Sequence, residues 1–265
     1  MSGINQAIFT AVCRLKVRFS DDLGNKKEII GTGFWVKDGE NSFFVTNKHN
    51  VDPTLKLGPE TKFKLAYLEI QLRQQVGTAL HQAVSFFEVK NLQSLRIHAT
   101  ADVAVIPNPA FNAPGFGYNW FSMEELATTE FLTKSVSAMD IASFIGYPGL
   151  SGKAWWDEQW QLPIARVTNI ASWPAIPFTN NGIKTSDVTL VSGLSFSGSS
   201  GSPIIVHEKG IKVGPGLSGA RHVEPKVIGI MSGHWWGNES PEDIFFHSGL
   251  SYFTRSSSIT ELLKV

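Results

Sequence analysis

The chain is short of cysteine, of net charge and of long apolar runs, and each shortage removes a class of protein. A single cysteine, Cys13, in 265 residues cannot close an intrachain disulfide. Extracellular chains of this size usually carry several bridges, so the composition leans toward a reducing, cytoplasmic compartment. Lys plus Arg and Asp plus Glu number 23 each. No basic run gathers the positive charges, which leaves nothing to grip nucleic acid or anionic lipid. No apolar stretch approaches the roughly 18 residues of a membrane helix. The start of the chain, Met1–Gln6, lacks the basic and apolar regions of a signal peptide. A soluble protein without a membrane partner is expected. Histidine, cysteine and carboxylate side chains show no metal spacing, and no cofactor is expected. What the chain has is apolar residues, 42% of the total. That suffices to bury the core of one large all-β domain or of two small barrels.

Most segments alternate with a period of two. In Cys13-Arg14-Leu15-Lys16-Val17-Arg18-Phe19 the odd positions are apolar and the even ones basic, which predicts a strand with one wet face. Further short runs follow at Ile29-Ile30, Phe34 to Val36, Phe43 to Val45, Phe63 to Leu72, Val84 to Val89 and Val103 to Ile106. Between Tyr67 and Leu68 the apolar parity switches, as one extra residue in a ladder would make it. Pro107 to Tyr118 reads as irregular connection, and Ser122 with Glu125 reads as the cap of a short helix. A second strand series begins near Asp140, and Ser256 to Leu263 predicts a terminal helix. The expectation is all-β: two packed six-stranded antiparallel barrels and a short C-terminal helix. Residues 1–110 form the first barrel, 111–134 the linker, 135–255 the second barrel and 256–265 the helix.

Three segments carry chemistry. In Ser197-Gly198-Ser199-Ser200-Gly201-Ser202-Pro203 two glycines flank a serine pair ahead of a strand. A nucleophilic hydroxyl needs a tight turn, with backbone N–H groups aimed at the developing oxyanion; Gly198 and Ser200 would supply them. A Gly/Ser hairpin turn explains the same residues. Serine also needs a base, and Thr46-Asn47-Lys48-His49 ends a strand on an imidazole, although a surface histidine is the commoner case. The imidazole needs a carboxylate on its other nitrogen. Asp102 enters the apolar run Val103-Ala104-Val105-Ile106, where an unpaired charge is costly; a strand-capping aspartate is the plain alternative. The order His49, Asp102, Ser200 puts base and acid on the first strand set and nucleophile on the second.

On these residues the chain resembles the trypsin-like (chymotrypsin-fold) serine peptidases. It is most similar to the bacterial branch without disulfides, related to the high-temperature-requirement proteases without their PDZ domain. The resemblance runs over about residues 10–263. It rests on Gly31-Thr32-Gly33-Phe34-Trp35-Val36, Val45-Thr46-Asn47-Lys48-His49, Ala101-Asp102-Val103-Ala104-Val105, Ile145-Gly146-Tyr147-Pro148-Gly149, Gly198-Ser199-Ser200-Gly201-Ser202-Pro203 and Gly229-Ile230-Met231-Ser232-Gly233. It implies a serine endopeptidase acting on polypeptide, with Ser200 rather than Ser199 as nucleophile. It also implies that Ser232 sits near Asp102, and that Ser232, Gly233 and His234 pair with the bound peptide backbone. Leu194, six residues before the nucleophile, replaces the acid that would select Arg or Lys, so an apolar or small side chain is expected in the primary pocket. The alternative is that His234 reads an acidic or glutamine side chain.

No clean activation site is visible, so activity is constitutive or switched by loop ordering, and an unidentified regulatory partner is compatible with this. Trp155, Trp156 and Trp160 cluster in one loop and Trp235-Trp236 follow the pocket strand; one of each adjacent pair should face away from the core. A phosphate-binding loop at Gly146 to Lys153 fails on spacing and on Ala154, and a hydrolase elbow at Ser200 fails because Ser202 takes the place of its last glycine and alternating helices are lacking. The rival from another class is a protease-like scaffold that grips an extended peptide or partner without cutting it. A viral-type processing protease is a third reading.

Overall fold

The computed structural model describes residues 7–74, 83–150, 153–176, 178–180, 183–185, 187–210, 222–238 and 245–264. The alternating segments do form strands. The first half contains β1 (Val12–Ser20), β2 (Lys26–Asp38), β3 (Asn41–Thr46), β4 (Lys64–Gln74), β5 (Val84–Glu88), β6 (Arg96–Ile97), β7 (Ala104–Pro107), β8 (Phe116–Gly117) and β9 (Phe121–Ser122). They join in one sheet in the order β5-β4-β1-β2-β3-β7-β6, with β8 added on β4 and β9 on β2. In β1 the odd residues Leu15, Val17 and Phe19 are buried, as their parity requires. The predicted parity switch in β4 is a bulge: Arg18 pairs with Tyr67 and Phe19 with Leu65, which leaves Ala66 as the extra residue.

The closed six-stranded barrel expected of this half is not formed. Among the described residues the sheet has nine strands and stays open. Its terminal strand β6 is two residues long and is spent on Val105 and Ala104, too short to reach around to β5.

The second half does close. It runs through β10 (Ile141–Gly146), two short hairpins formed by β11 (Gly149–Leu150) with β12 (Lys153–Ala154) and by β14 (Phe178–Asn180) with β15 (Ile183–Thr185), then β13 (Ile164–Ile170), β16 (Val188–Ser192), β17 (Pro203–Val206), β18 (Lys226–Asn238) and β19 (Phe245–Arg255). The six strands β10-β13-β16-β19-β18-β17 return to β10 as a closed antiparallel barrel. This barrel beside a second sheet is compatible with a chymotrypsin-like fold.

Among the described residues there are five short α-helices: α1 (Ala7–Ala11), α2 (Lys48–Val51), α3 (Pro53–Leu57), α4 (Thr129–Ser135) and α5 (Ser256–Leu263). The last has the predicted bounds. The expected linker is more ordered than its composition indicates: Ser122 N donates to the Glu125 carboxylate at 2.6 Å, and Thr128 Oγ1 caps α4 by accepting from Phe131 N at 3.1 Å. Among the described residues no helix is long and apolar enough to cross a membrane.

Burial holds the halves together. One apolar cluster centred on Leu15, Trp35 and Phe44 fills the open sheet, and another with Phe144, Ile170 and Phe253 fills the barrel. A third joins Phe34 and Val105 of the sheet to Ile145 and Ile230 of the barrel and to Ile259 of α5. Each such side chain, removed from water, contributes about 1.5–3 kcal/mol before entropy is charged against it.

Candidate active site

The candidate site is built from loop ends of both halves. His49 lies in the single turn of α2, directly after β3. Asp102 lies in the loop that leads into β7, and β3 and β7 are neighbours in the sheet. The pairing of Thr46 with Ala104 therefore sets the next residues side by side. Asp102 meets His49 twice: Oδ1 accepts from His49 N at 2.9 Å, and Oδ2 lies 2.7 Å from His49 Nδ1. Both oxygens hold one residue, which fixes the ring and assigns Nδ1 as the protonated nitrogen facing the carboxylate.

A chain of small polar groups supports this pair. Asn47 Nδ2 donates to Asp102 O at 2.8 Å and to Ser232 Oγ at 3.1 Å. Ser232 Oγ also contacts Thr254 Oγ1 at 2.7 Å and Ile230 O at 3.2 Å. Ser232 thus reaches Asp102 through Asn47 rather than directly.

The serine loop connects β16 to β17. Gly198 has φ +84° and Gly201 has φ +95°, both in the left-handed region that favours glycine. A Cβ on Gly198 would lie 2.3 Å from Tyr147 O, and one on Gly201 would lie 1.7 Å from Thr32 O. Three contacts to the open sheet pin this loop: Thr32 N donates to Ser200 O at 2.9 Å, Thr32 Oγ1 to Gly198 O at 2.6 Å and Asn50 Nδ2 to Ser200 O at 3.3 Å. Ser200 is thereby tied to the residue next to His49. Ser200 Oγ and His49 Nε2 are not hydrogen bonded to each other here; such contacts often tighten only when substrate is bound.

The serines of this loop differ sharply. Ser199 is 1% exposed and Ser202 is fully buried. Ser199 Oγ accepts from Arg166 Nη2 at 2.7 Å and from Phe196 N at 3.3 Å. Ser200 is half-buried and its hydroxyl has no partner among the described residues. The backbone donors alternate as well. Ser199 N donates to Phe196 O at 2.9 Å, Gly201 N to Met231 O at 3.0 Å and Ser202 N to Ser199 O at 3.0 Å, whereas Gly198 N and Ser200 N meet no acceptor among the described residues. Those two are the donors that the sequence suggested for an oxyanion.

Around the expected primary pocket the structure adds residues that the sequence reading missed. Leu194 is 48% exposed, while its neighbour Ser195 is 2% exposed. Ser195 Oγ lies 3.2 Å from His234 Nδ1, and Ser195 N donates to His247 Nε2 at 3.1 Å. The two imidazoles stack with centres 4.3 Å apart. Burial lowers the pKa of both, and their closeness lowers that of His234 further. His247 Nδ1 also faces the Gly249 N–H at 2.9 Å. A neutral imidazole accepts at one nitrogen only, so the tautomer of His247 decides which of these two backbone N–H groups it satisfies. No local motif marks His247: it comes to His234 only through the pairing of β18 with β19, where Trp236 faces it.

The β17 pairing ends at Ile230, and among the described residues Gly233 is paired with Tyr252 of β19 on one side alone, with Ser232 at the shift in register before it. Of the tryptophans, Trp156 packs on the shared core and edge-on to Tyr147, while Trp155 is 39% exposed and stands edge-on to Phe196. Trp235 lies against Phe178 and Tyr252, and the Trp236 side chain falls outside the described residues.

No family model matches the chain, and no curated protein matches it.

Proposed function

We propose that this chain is a serine endopeptidase of the trypsin-like type, with His49, Asp102 and Ser200 as a catalytic triad. The observation that carries the reading is the pair of Gly198 and Ser200 N–H groups without an acceptor among the described residues, on a bend where Asn50, the residue after His49, donates to Ser200 O. His49 takes the proton of Ser200 as the hydroxyl attacks the scissile carbonyl. Gly198 N–H and Ser200 N–H stabilise the oxyanion. The protonated imidazole, held by Asp102, gives its proton to the leaving amine. Water activated by His49 then releases the acid and restores the serine. An extended substrate adds to the β18 edge at Ser232 and Gly233.

Kinship with the disulfide-free bacterial branch of trypsin-like peptidases and a cytoplasmic setting belong to the same proposal. Cys13 suits both, because burial pushes its thiol up to about 12 and keeps it inert. A fluorophosphonate probe is expected to label the folded protein and to leave Ser200→Ala unlabelled. An unlabelled wild type would sink the enzyme reading.

One observation favours a second reading, a scaffold that holds a peptide without cutting it: Ser200 Oγ is not hydrogen bonded to His49. Capture of a partner by Ser200→Ala but not by wild type means substrate, and equal capture means scaffold.

A further inference from the structure

Arg166 stands where the alternation of β13 calls for an apolar side chain. Ile164, Arg166, Thr168 and Ile170 share one face of the strand, and Thr168 and Ile170 are buried. A cation on such a face is costly unless its donors are met. Here a single loop meets them. Nη1 donates to Leu194 O at 2.9 Å and Nη2 to Ser199 Oγ at 2.7 Å. The guanidinium carbon lies 4.5 Å from the centre of the Phe144 ring and 5.3 Å from that of Phe196. Among the described residues no carboxylate pairs with it. Burial alone lowers its pKa, to about 10, so it remains charged at neutral pH.

Leu194 and Ser199 bracket the bend that delivers Ser200. Between them, Ser199 N donates to Phe196 O at 2.9 Å and Ser199 Oγ accepts from Phe196 N at 3.3 Å. The planar fork therefore spans the bend and closes it against the barrel wall, a task that a lysine cannot duplicate. We propose that Arg166 is a positioning residue, which braces residues 194–199 so that the Gly198 and Ser200 N–H groups point at one site. Its catalytic meaning rests on the peptidase reading; the brace itself rests on the loop geometry alone.

The test compares Arg166→Met and Arg166→Lys with wild type in two readouts. In Arg166→Met, hydrogen exchange at the Ser199 and Gly201 amides should quicken by about tenfold or more while the β3 and β7 amides stay unchanged. The kcat on a peptide substrate should fall by about 10²-fold with KM nearly constant, and Arg166→Lys should recover part of the loss. Unchanged exchange in Arg166→Met overturns the brace, and faster exchange with unchanged kcat overturns the positioning role. If Arg166→Met does not fold, Ser199→Ala, which removes one acceptor, must show the same local quickening. A wild type that resists fluorophosphonate while Arg166→Met still quickens at Ser199 sinks the peptidase reading and keeps the brace. A labelled wild type with no change in the variant does the reverse.

Discussion

The open sheet and the closed barrel contribute to one groove by different physical means. The sheet supplies His49 and Asp102, held by side chains: the two oxygens of Asp102, the amide of Asn47 and the hydroxyl of Ser232. The barrel supplies Ser200 on a bend shaped by backbone, with two left-handed glycines and main-chain bonds to Thr32 and Met231, and braced by the side chains of Thr32, Asn50 and Arg166. Side-chain networks fail through changes of chemistry, and backbone bends fail through changes of shape. The halves should therefore respond to mutation in opposite ways.

The largest contrast is expected at Asp102. Asp102→Asn keeps the shape but presents the wrong tautomer to His49, and kcat should drop by about 10⁴-fold. The thermal midpoint should hardly move. A large loss of stability in this variant would erase the distinction between the halves. At Gly201 the reverse applies: a Cβ there meets Thr32 O at 1.7 Å, so Gly201→Ala should cost about 3 kcal/mol in denaturant melts and abolish activity with it. An active and stable variant would show that the bend is not fixed by shape.

Acid should separate the halves as well. His207, His234 and His247 all lie in the barrel half, and burial holds each below the ordinary value near 6.5. The unfolded chain then takes up protons that the fold refuses. Their stabilisation is complete above about pH 6.5 and is lost as pH falls toward the lower folded values. Melts at pH 7.5 and pH 5 should show this loss, and His207→Asn should reduce it; a pH-independent midpoint would contradict it. The smallest effect is expected at Glu261, which pairs with His98 at 2.9 Å between α5 and the sheet but is 67% exposed. Glu261→Gln should change stability by less than about 0.5 kcal/mol.

Local signals made much of this legible. The period of β1, the parity switch that becomes the Ala66 bulge and the bounds of α5 follow from nearest neighbours and alternation. The meeting of His49 with Asp102 was legible because a carboxylate entering an apolar strand needs a partner. Three features were not. Sheet closure depends on β6 being too short, which no periodicity reports. Ser195 and His247 meet through a pairing across the β18–β19 ladder. Arg166 looks in the sequence like the polar member of an alternating strand, and only the fold shows that its face is turned inward.

Thr32 gathers these threads. Its hydroxyl gives a hydrogen bond to Gly198 O and accepts one from Tyr147 N at 3.1 Å. One oxygen on the sheet is thus the hinge pin for two separate stretches of the barrel. A ligand that wedged the halves apart, even slightly, would draw that pin and collapse the bend without ever touching the serine, so an inhibitor aimed at the seam could act as surely as one aimed at the groove.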